Sequence, residues 1–175
     1  MADKGNGAAP QAGAQLGAQP GAQPQVKFQV LAQYVRDLSF ENAIVRGTGI
    51  MPTGQPDIQV QVSLDARKRE TDGHYEVISK YKIESKSKEG GQMLYLIELE
   101  YGAIFLIDGL PADQMHPFLL IEYPRIIFPF ARRIISDVTR DGGFPPLNLD
   151  MIDFMQMYRQ QLLRQQAQPG AAPVV

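Results

Sequence analysis

The chain has 175 residues, with 17 Lys or Arg and 19 Asp or Glu, so its formal net charge is −2. This balance excludes the broad basic surface that attracts nucleic acids or anionic membranes. The chain has no cysteine, which excludes disulfides, thiolate zinc sites and a cysteine nucleophile. It also has no apolar run of roughly 18 residues and no apolar segment typical of a signal peptide. We therefore expect a cytoplasmic protein without stable membrane insertion.

The two ends of the chain have a composition that does not build a hydrophobic core. Ala, Gly, Gln and Pro occupy 20 of the first 25 positions, and the last residues are similar. Such segments bury too little apolar surface to offset the entropy lost on ordering. We therefore predict a disordered tail over residues 1–25, one folded domain over 26–166 and a flexible C-terminal tail over 167–175.

Four segments in the first half of the domain alternate apolar and polar residues. This pattern is typical of antiparallel strands that have one packed face and one face in solvent. The segments cover residues 27–41, 58–64, 75–86 and 93–107.

The alternation also assigns residues of the first and fourth strands to faces. Asp37, Ser39 and Glu41 are expected to share the polar face of the first strand, and Glu98 and Glu100 lie opposite the apolar face of the fourth. The apolar face of the first strand is predicted to contain Phe28, Val30, Ala32, Tyr34, Leu38 and Phe40.

The links between the strands differ in length. Glycine-containing turns at 71–74 and 88–91 predict hairpins. The link at 42–57 is much longer and is interrupted by glycine and proline. Loops of this length in a compact domain are often functional.

The second half of the domain favours helices. Pro111 suits the first turn of a short helix that reaches about residue 121, and Tyr123 with Pro124 is expected to break the chain after it. A longer helix should follow to about residue 140, with its regular part starting at Pro129 and two glycines ending it.

The final helix is predicted to start near Asn148 or Asp150, either of which suits the N-cap. Four strands followed by helices predict an α+β fold, with a four-stranded antiparallel sheet and the helices packed on one side. The apolar face of the final helix should contain Met151, Phe154, Met155, Tyr158 and Leu162.

Catalysis is not indicated by the residues present. Glu98 and Glu100 form a pair of carboxylates, but Leu94 and Leu96 share their strand face, which favours a solvated or partner-facing edge over acid–base chemistry. Neither His74 nor His116 has an acidic residue at metal-ligand spacing. We therefore expect no enzymatic activity, no metal site and no cofactor.

Two features instead suggest partners. The apolar residues of 93–107 and 126–138 exceed what one sheet with three helices should bury, which favours an oligomer or a bound partner. Asp37, Ser39 and Glu41 form an acidic patch with Glu98 and Glu100 if their strands are neighbours, and such a patch attracts basic partners. A solvated sheet face is the alternative interpretation of the same pattern.

Residues 28–166 resemble the SecB family of bacterial protein-export chaperones. No single segment is diagnostic, but the segments occur in the order and spacing of the family. They are residues 37–41 (DLSFE), 75–77 (YEV), 96–98 with 102–105 (LIE and GAIF), 128–132 (FPFAR) and 143–149 (GFPPLNL).

The resemblance implies a homotetramer, assembled as a dimer of dimers, that holds unfolded secretory precursors in the cytoplasm and passes them to the SecA motor ATPase. It implies no catalysis and no nucleotide. The matching SecA-binding positions are Asp37, Glu41, Leu96 and Glu98. The matching client-binding positions are Ile50, Met51, Ile58, Val60, Val62, Met155, Tyr158 and Leu162.

A second hypothesis belongs to a different class. An oligomeric adaptor, or a SecB-like chaperone dedicated to one partner such as a toxin–antitoxin pair, would share the same apolar and acidic patterns. A dedicated adaptor would saturate with one folded partner, whereas a general chaperone would bind several unrelated unfolded chains.

Overall fold

The computed structural model describes residues 26–47, 49 and 54–167. Four strands come first in the chain, and they match the four alternating segments of the sequence. They are β1 (Lys27–Asn42), β2 (Pro56–Lys68), β3 (His74–Ser87) and β4 (Met93–Asp108).

The strands form one antiparallel sheet in the order β1-β4-β3-β2. The predicted hairpins join β2 to β3 and β3 to β4. β1 and β2 lie at opposite edges, so the long link between them runs from one edge of the sheet to the other. It begins with the short helix α1 (Ala43–Arg46). There the Val45 N–H donates to Asn42 Oδ1 at 3.2 Å, and Asn42 Nδ2 donates to the Gly142 carbonyl at 2.9 Å.

One face of the sheet is covered by helices, which confirms the predicted α+β fold. Tyr123 stacks on Phe105 of β4, with ring centroids 3.7 Å apart. Phe128 lies against Tyr81 of β3 at 6.4 Å and against Phe154 at 6.0 Å. All five side chains are almost completely buried, so the hydrophobic core lies between the two central strands and the helices. The opposite face is called the outer face below.

The predicted apolar face of β1 is wrong in the middle of the strand. The register shifts between Val30 and Ala32, and again between Val35 and Asp37. Each β-bulge adds one residue, which moves every following side chain to the other face. Ala32 and Tyr34 therefore point to the outer face, while Val35 points to the core side, where Phe28, Val30, Leu38 and Phe40 lie as predicted.

The helical half is continuous where a break was expected. α2 (Ala112–Pro117) leads into a π-helical turn at Phe118–Glu122, and α3 (Tyr123–Asp141) follows directly. Pro124 lies in the first turn of α3, and Pro129 lies inside the helix rather than at its start. An interior proline costs a helix about 3 kcal/mol. Burial of the neighbouring Phe128 and Ala131 offsets this cost.

The ends of the last two helices partly match the sequence predictions. α3 ends before two glycines, as expected, and the Phe144 N–H donates to the Thr139 carbonyl at 3.0 Å. α4 (Phe154–Ala167) starts later than predicted. Its cap is Asp153, whose Oδ1 accepts from the Gln156 N–H at 2.9 Å, and not Asn148 or Asp150. Met151 consequently precedes the helix and is 74% exposed.

Candidate functional site

The predicted acidic patch forms because β1 and β4 are hydrogen-bonded neighbours. Asp37 is opposite Glu100, Ser39 is opposite Glu98, and Glu41 is opposite Leu96. The strand pairing thus brings all four predicted SecA-binding positions together on the outer face. We call Asp37, Glu41, Leu96 and Glu98 the acidic surface.

Leu96 is the apolar centre of the acidic surface. It is half-buried, and its cross-strand neighbours are Glu41 on β1 and Glu84 on β3. Glu98 follows two residues along on the same face. Lys86 Nζ donates to Glu84 Oε2 at 2.9 Å, and this bond lowers the pKa of Glu84. An apolar side chain surrounded by carboxylates suits a partner that presents both basic and apolar groups.

Basic residues lie between the carboxylates of the outer face. Lys82 Nζ is 3.6 Å from Glu98, and Arg46 is 3.5 Å from Glu41. Exposed ion pairs of this kind contribute roughly 0–1 kcal/mol each, so they exchange readily for a partner's cations. Among the described residues Asp37 has no ion pair, which makes it the least compensated carboxylate of the acidic surface.

A second cluster on the outer face was not found from the sequence. Glu76 on β3 is only 5% exposed. It accepts hydrogen bonds from the Tyr34 hydroxyl of β1 and from Arg67 Nε of β2, and Arg69 lies 4.0 Å away. The Tyr34 ring crosses β4 at Gly102, where a Cβ atom would lie 2.8 Å from the ring. The cluster therefore connects β1, β3 and β2 over the glycine of β4.

The two acids of this cluster have perturbed pKa values. Burial raises the pKa of Glu76, but the hydrogen bonds from Tyr34 and Arg67 outweigh burial, so the pKa of Glu76 is below its ordinary value. Burial and the bond to Glu76 raise the pKa of Tyr34 to about 12. Glu76 is therefore ionised and Tyr34 neutral near pH 7. The β-bulges that turn Tyr34 outward have no local signal in the sequence.

On the helix side, a groove of about 770 Å³ runs between β2 and α4. We call it the β2–α4 groove. Its walls come from β2, from the π-helical turn, from the segment at 147–152 and from α4, and the polar side chains of Gln161 and Arg164 also line it. The apolar lining residues are Val60, Val62, Leu64, Leu120, Leu147, Leu149, Met151, Ile152, Met157 and Tyr158.

The predicted client-binding residues are only partly brought together. Val60, Val62 and Tyr158 line the groove. Ile58, Met155 and Leu162 are half-buried but do not line it. The remaining two positions, Ile50 and Met51, lie outside the described residues.

The predicted client-binding positions did not include seven apolar residues that line the groove, namely Leu64, Leu120, Leu147, Leu149, Met151, Ile152 and Met157. Leu120 lies in the π-helical turn, which a 3.6-residue period does not predict. The prediction also started the final helix too early and counted Met151 in its apolar face, whereas in the structure Met157 and Tyr158 of α4 line the groove and Met155 does not. Asp153 at the N-cap was the local signal that would have placed the start correctly.

Contacts to two other helices hold α4 beside the groove. The Tyr158 hydroxyl lies 3.2 Å from Nδ1 of His116 in α2, and their ring centroids are 5.5 Å apart. Phe154 is buried against Phe128 of α3. His116 thus packs against Tyr158 of α4. His74 lies in a turn, with Nδ1 3.0 Å from the Asp72 carbonyl.

Within the described ranges, no group of His, Asp or Glu side chains is arranged to hold a metal ion. Among the helices that the structure describes, none has the length and apolar composition needed to cross a membrane.

Comparison with known proteins identifies the family. The family model described as "Preprotein translocase subunit SecB" matches residues 21–166. The chain belongs to the SecB family. Membership makes it a protein-export chaperone, a class that is distinct from enzymes.

The sequence relatives carry the same family name. The "Protein-export protein SecB" of Cereibacter sphaeroides is 61% identical over 148 residues, which cover 83% of this chain and 89% of the relative. The "Protein-export protein SecB" of Paracoccus denitrificans is 54% identical over 174 residues, which cover 98% of this chain and 97% of the relative. The second alignment therefore extends into the N-terminal segment.

A solved structure shows the same fold. It is a SecB-like chaperone of Mycobacterium tuberculosis in complex with a peptide from an antitoxin. The TM-score is 0.57 at 13% identity, and the match covers 71% of this chain and 90% of that chain. At this identity the likeness supports the fold, which in SecB-like chaperones is the α+β arrangement described above.

Proposed function

We propose that this SecB-family chain binds unfolded precursor proteins in the cytoplasm, keeps them competent for translocation and delivers them to the SecA ATPase. The observation that carries the proposal is the open apolar β2–α4 groove, which lies on the opposite side of the sheet from the acidic surface. Two separate surfaces allow a client and a delivery partner to be bound at the same time.

The chemistry of the groove suits unfolded chains. Burial of apolar surface contributes roughly 25 cal/mol per Å² and requires no particular hydrogen-bonding geometry. A groove with ten apolar lining residues therefore accepts many sequences. Folded proteins are poor ligands because their apolar segments are already buried. Methionine and leucine in the lining adapt to different client side chains.

The acidic surface suits a basic partner segment, and we assign it to SecA. Asp37, Glu41 and Glu98 would attract basic side chains, and Leu96 would supply a central apolar contact. Exposed charges act mainly on the rate of encounter and on specificity, and salt screens them. Binding to SecA is therefore expected to weaken between low and physiological ionic strength.

We further propose that the chain assembles into a homotetramer, a dimer of dimers. β1 is an edge strand, and edge strands tend to pair with further strands. Val35 on its core side is 44% exposed, and Phe130 of α3 is 43% exposed. A second copy would cover this apolar surface. An assembly with several grooves would also hold one long client by effective concentration.

The proposal is tested by titrating the chain with one precursor in its unfolded form and in its folded form. We expect binding only to the unfolded form, and binding to unrelated unfolded proteins as well. Saturation by a single folded partner, with no binding to unfolded chains, would favour the dedicated adaptor instead. Light scattering at micromolar concentration should give the mass of a tetramer, and a monomer mass would contradict the proposed assembly.

Matched substitutions distinguish the groove from its surroundings. Val62→Asp places a carboxylate in the apolar lining and should weaken client binding at least tenfold, about 1.4 kcal/mol. Gln61→Asp on the outer-facing neighbour of the same strand is the control and should leave client binding nearly unchanged. Equal effects of the two variants would contradict the assignment of the groove.

A further inference from the structure

β1 and β4 have the lengths to pair in a simpler register than the one they adopt. Each strand contains 16 residues, and their pairing starts with Lys27 opposite Asp108. A regular antiparallel ladder from this pair would end with Asn42 opposite Met93, so that both strands are paired over their full length. In the structure Asn42 is opposite Tyr95, because the two β-bulges insert two extra residues into β1. We call these the regular register and the bulged register.

The amino-acid pattern of β1 also favours the regular register. Apolar or aromatic residues occupy every second position from 28 to 40, interrupted only by Arg36. Without bulges all of them would face the core side. In the bulged register Ala32 and Tyr34 face outward instead. Contacts on the outer face must therefore stabilise the bulged register.

Tyr34 makes contacts that only the bulged register allows. Its hydroxyl donates to Glu76, and its ring crosses β4 at Gly102. Arg67 of β2 holds Glu76 from the other side, so the position of the acceptor does not depend on β1. Turning Tyr34 to the core side would leave a carboxylate that is only 5% exposed without this donor. Hydrogen bonds to charged groups are among the stronger ones, and losing one in a buried place is costly.

Arg36 contributes less to this choice. It is the extra residue of the second bulge, and its Nε lies 3.5 Å from Glu100. The Arg36 side chain is 49% exposed, and exposed ion pairs contribute little to stability. The contact that selects the bulged register is therefore the one between Tyr34 and Glu76.

The register decides which residues meet in the acidic surface. In the bulged register Glu41 is opposite Leu96, whereas the regular register would place Glu41 opposite Leu94. The second half of β1 would move by two residues along β4, about 7 Å. The second half is the one expected to move, because a shift of the first half would carry Lys27 and Phe28 past the end of β4.

We propose that Tyr34, through its contacts with Glu76 and Gly102, selects the bulged register and thereby positions the acidic surface. Tyr34 is thus a positioning residue that lies outside the surface it aligns. This inference rests on the proposed function, since SecA is the partner assigned to that surface. Substitutions within the acidic surface leave the register as it is, whereas loss of Tyr34 should shift the surface.

Engineered cysteine pairs measure the register, because the chain has no cysteine of its own. Ser39 is opposite Glu98 in the bulged register and would be opposite Leu96 in the regular register. Directly opposite positions suit a disulfide, whereas diagonal positions about 7–8 Å apart do not. Ser39→Cys with Glu98→Cys therefore reports the bulged register, and Ser39→Cys with Leu96→Cys reports the regular register. The mass under denaturing conditions separates disulfides within one chain from disulfides between copies.

With Tyr34 in place, we expect mild oxidation to close the bulged pair far faster than the regular pair. Tyr34→Val should raise the closing rate of the regular pair about tenfold. Tyr34→Phe keeps the ring over Gly102 and should retain most of the closing of the bulged pair. Gln29→Val, on the same face of β1 before the first bulge, is the matched control and should behave as the wild type. If Tyr34→Val does not fold, Gly102→Ala takes its place, since a Cβ atom there would lie 2.8 Å from the Tyr34 ring and displace it.

Titration with SecA, in chains without the introduced cysteines, measures the consequence. Tyr34→Val should weaken SecA binding about tenfold and leave the binding of an unfolded precursor nearly unchanged. Gln29→Val should change neither affinity.

Two results would overturn the inference. If Tyr34→Val still closes only the bulged pair, Tyr34 stabilises the sheet without selecting its register, and the assignment of the acidic surface to SecA is unaffected. If the regular pair closes while SecA binding stays at the wild-type level, the register does not position a surface for SecA, and the proposed assignment of that surface fails.

Discussion

The acidic surface and the β2–α4 groove are built in different ways. Every member of the acidic surface belongs to β1 or β4, and strand pairing alone places them together. The groove instead combines a strand, a π-helical turn, an irregular segment and a helix. A surface made by one strand pair should tolerate side-chain changes without moving, whereas a groove made by several elements should depend on the packing that holds them.

The largest expected effect is on the groove. Phe154→Ala removes a side chain that is 1% exposed and in contact with Phe128. Large-to-small changes of this kind cost about 3–5 kcal/mol of stability, and α4 should lose its main anchor. We expect this loss in chemical denaturation, together with altered client binding and nearly unchanged SecA binding. Leu163→Ala, on the exposed side of α4, is the control and should change stability by less than about 0.5 kcal/mol.

The second effect concerns the acidic surface. Glu98→Lys puts a second cation beside Lys82, which lies 3.6 Å from Glu98. It should weaken SecA binding about 10- to 100-fold, or about 1.4–2.8 kcal/mol, and leave client binding unchanged. Asp37→Ala should act in the same direction with a smaller effect.

The control for that prediction is Glu70→Lys, which makes the same charge change in the turn after β2. Separate titrations with SecA and with an unfolded precursor are the measurement. If Glu98→Lys lowers both affinities equally, or if wild-type SecA binding does not respond to salt, the acidic surface is wrongly assigned.

The third and smaller effect concerns the stability that the cluster of Tyr34, Glu76 and Arg67 gives to the sheet. Tyr34→Phe removes one hydrogen bond to Glu76 and should cost about 0.5–1.5 kcal/mol. The folded pKa of Glu76 is lowered, so its stabilisation is present above its unfolded value of about 4.3 and is lost as pH falls through the folded value. In Tyr34→Phe the folded pKa moves up towards the ordinary value. The loss of stability in acid should therefore be smaller than in the wild type.

Denaturation curves between about pH 7 and pH 3 measure this difference. Glu76→Gln should lack this part of the pH dependence altogether, and Glu70→Gln, in the exposed turn, should retain it. Identical acid profiles for the wild type and Glu76→Gln would show that the cluster does not stabilise the sheet.

The smallest effect is expected from the N-terminal segment. Deletion of residues 1–24 should leave thermal stability, client holding and SecA binding nearly unchanged, because its composition does not build a core. A thermal melt and a client-aggregation assay check this expectation. A large loss in either would show that the segment contributes to one of the two surfaces.

The two surfaces also differ in how far the sequence predicted them. Strict alternation in 93–107 assigned Leu96 and Glu98 to one face of β4, and the structure agrees. The same rule placed Asp37 and Glu41 correctly in β1, because they follow the second β-bulge. It failed for Ala32 and Tyr34, which lie between the two bulges. For the groove, alternation along β2 predicted that Val60 and Val62 face the core side, but it did not predict the helical residues that lie beside them.

Local alternation and turn residues were sufficient to predict the four strands, the two hairpins, the long link at 42–57 and the presence of helices after the sheet. That the long link joins opposite edges of the sheet follows only from the strand order. The bulges of β1 and the π-helical turn depend on tertiary packing and could not be predicted in this way. A bulge or a π turn adds one residue to a regular repeat, and its stability comes from partners distant in the chain. One case is Tyr34, which the bulges of β1 bring to Glu76 on β3. Another is Leu120, which the π-helical turn brings into the groove. A regular repeat along the chain does not predict either position.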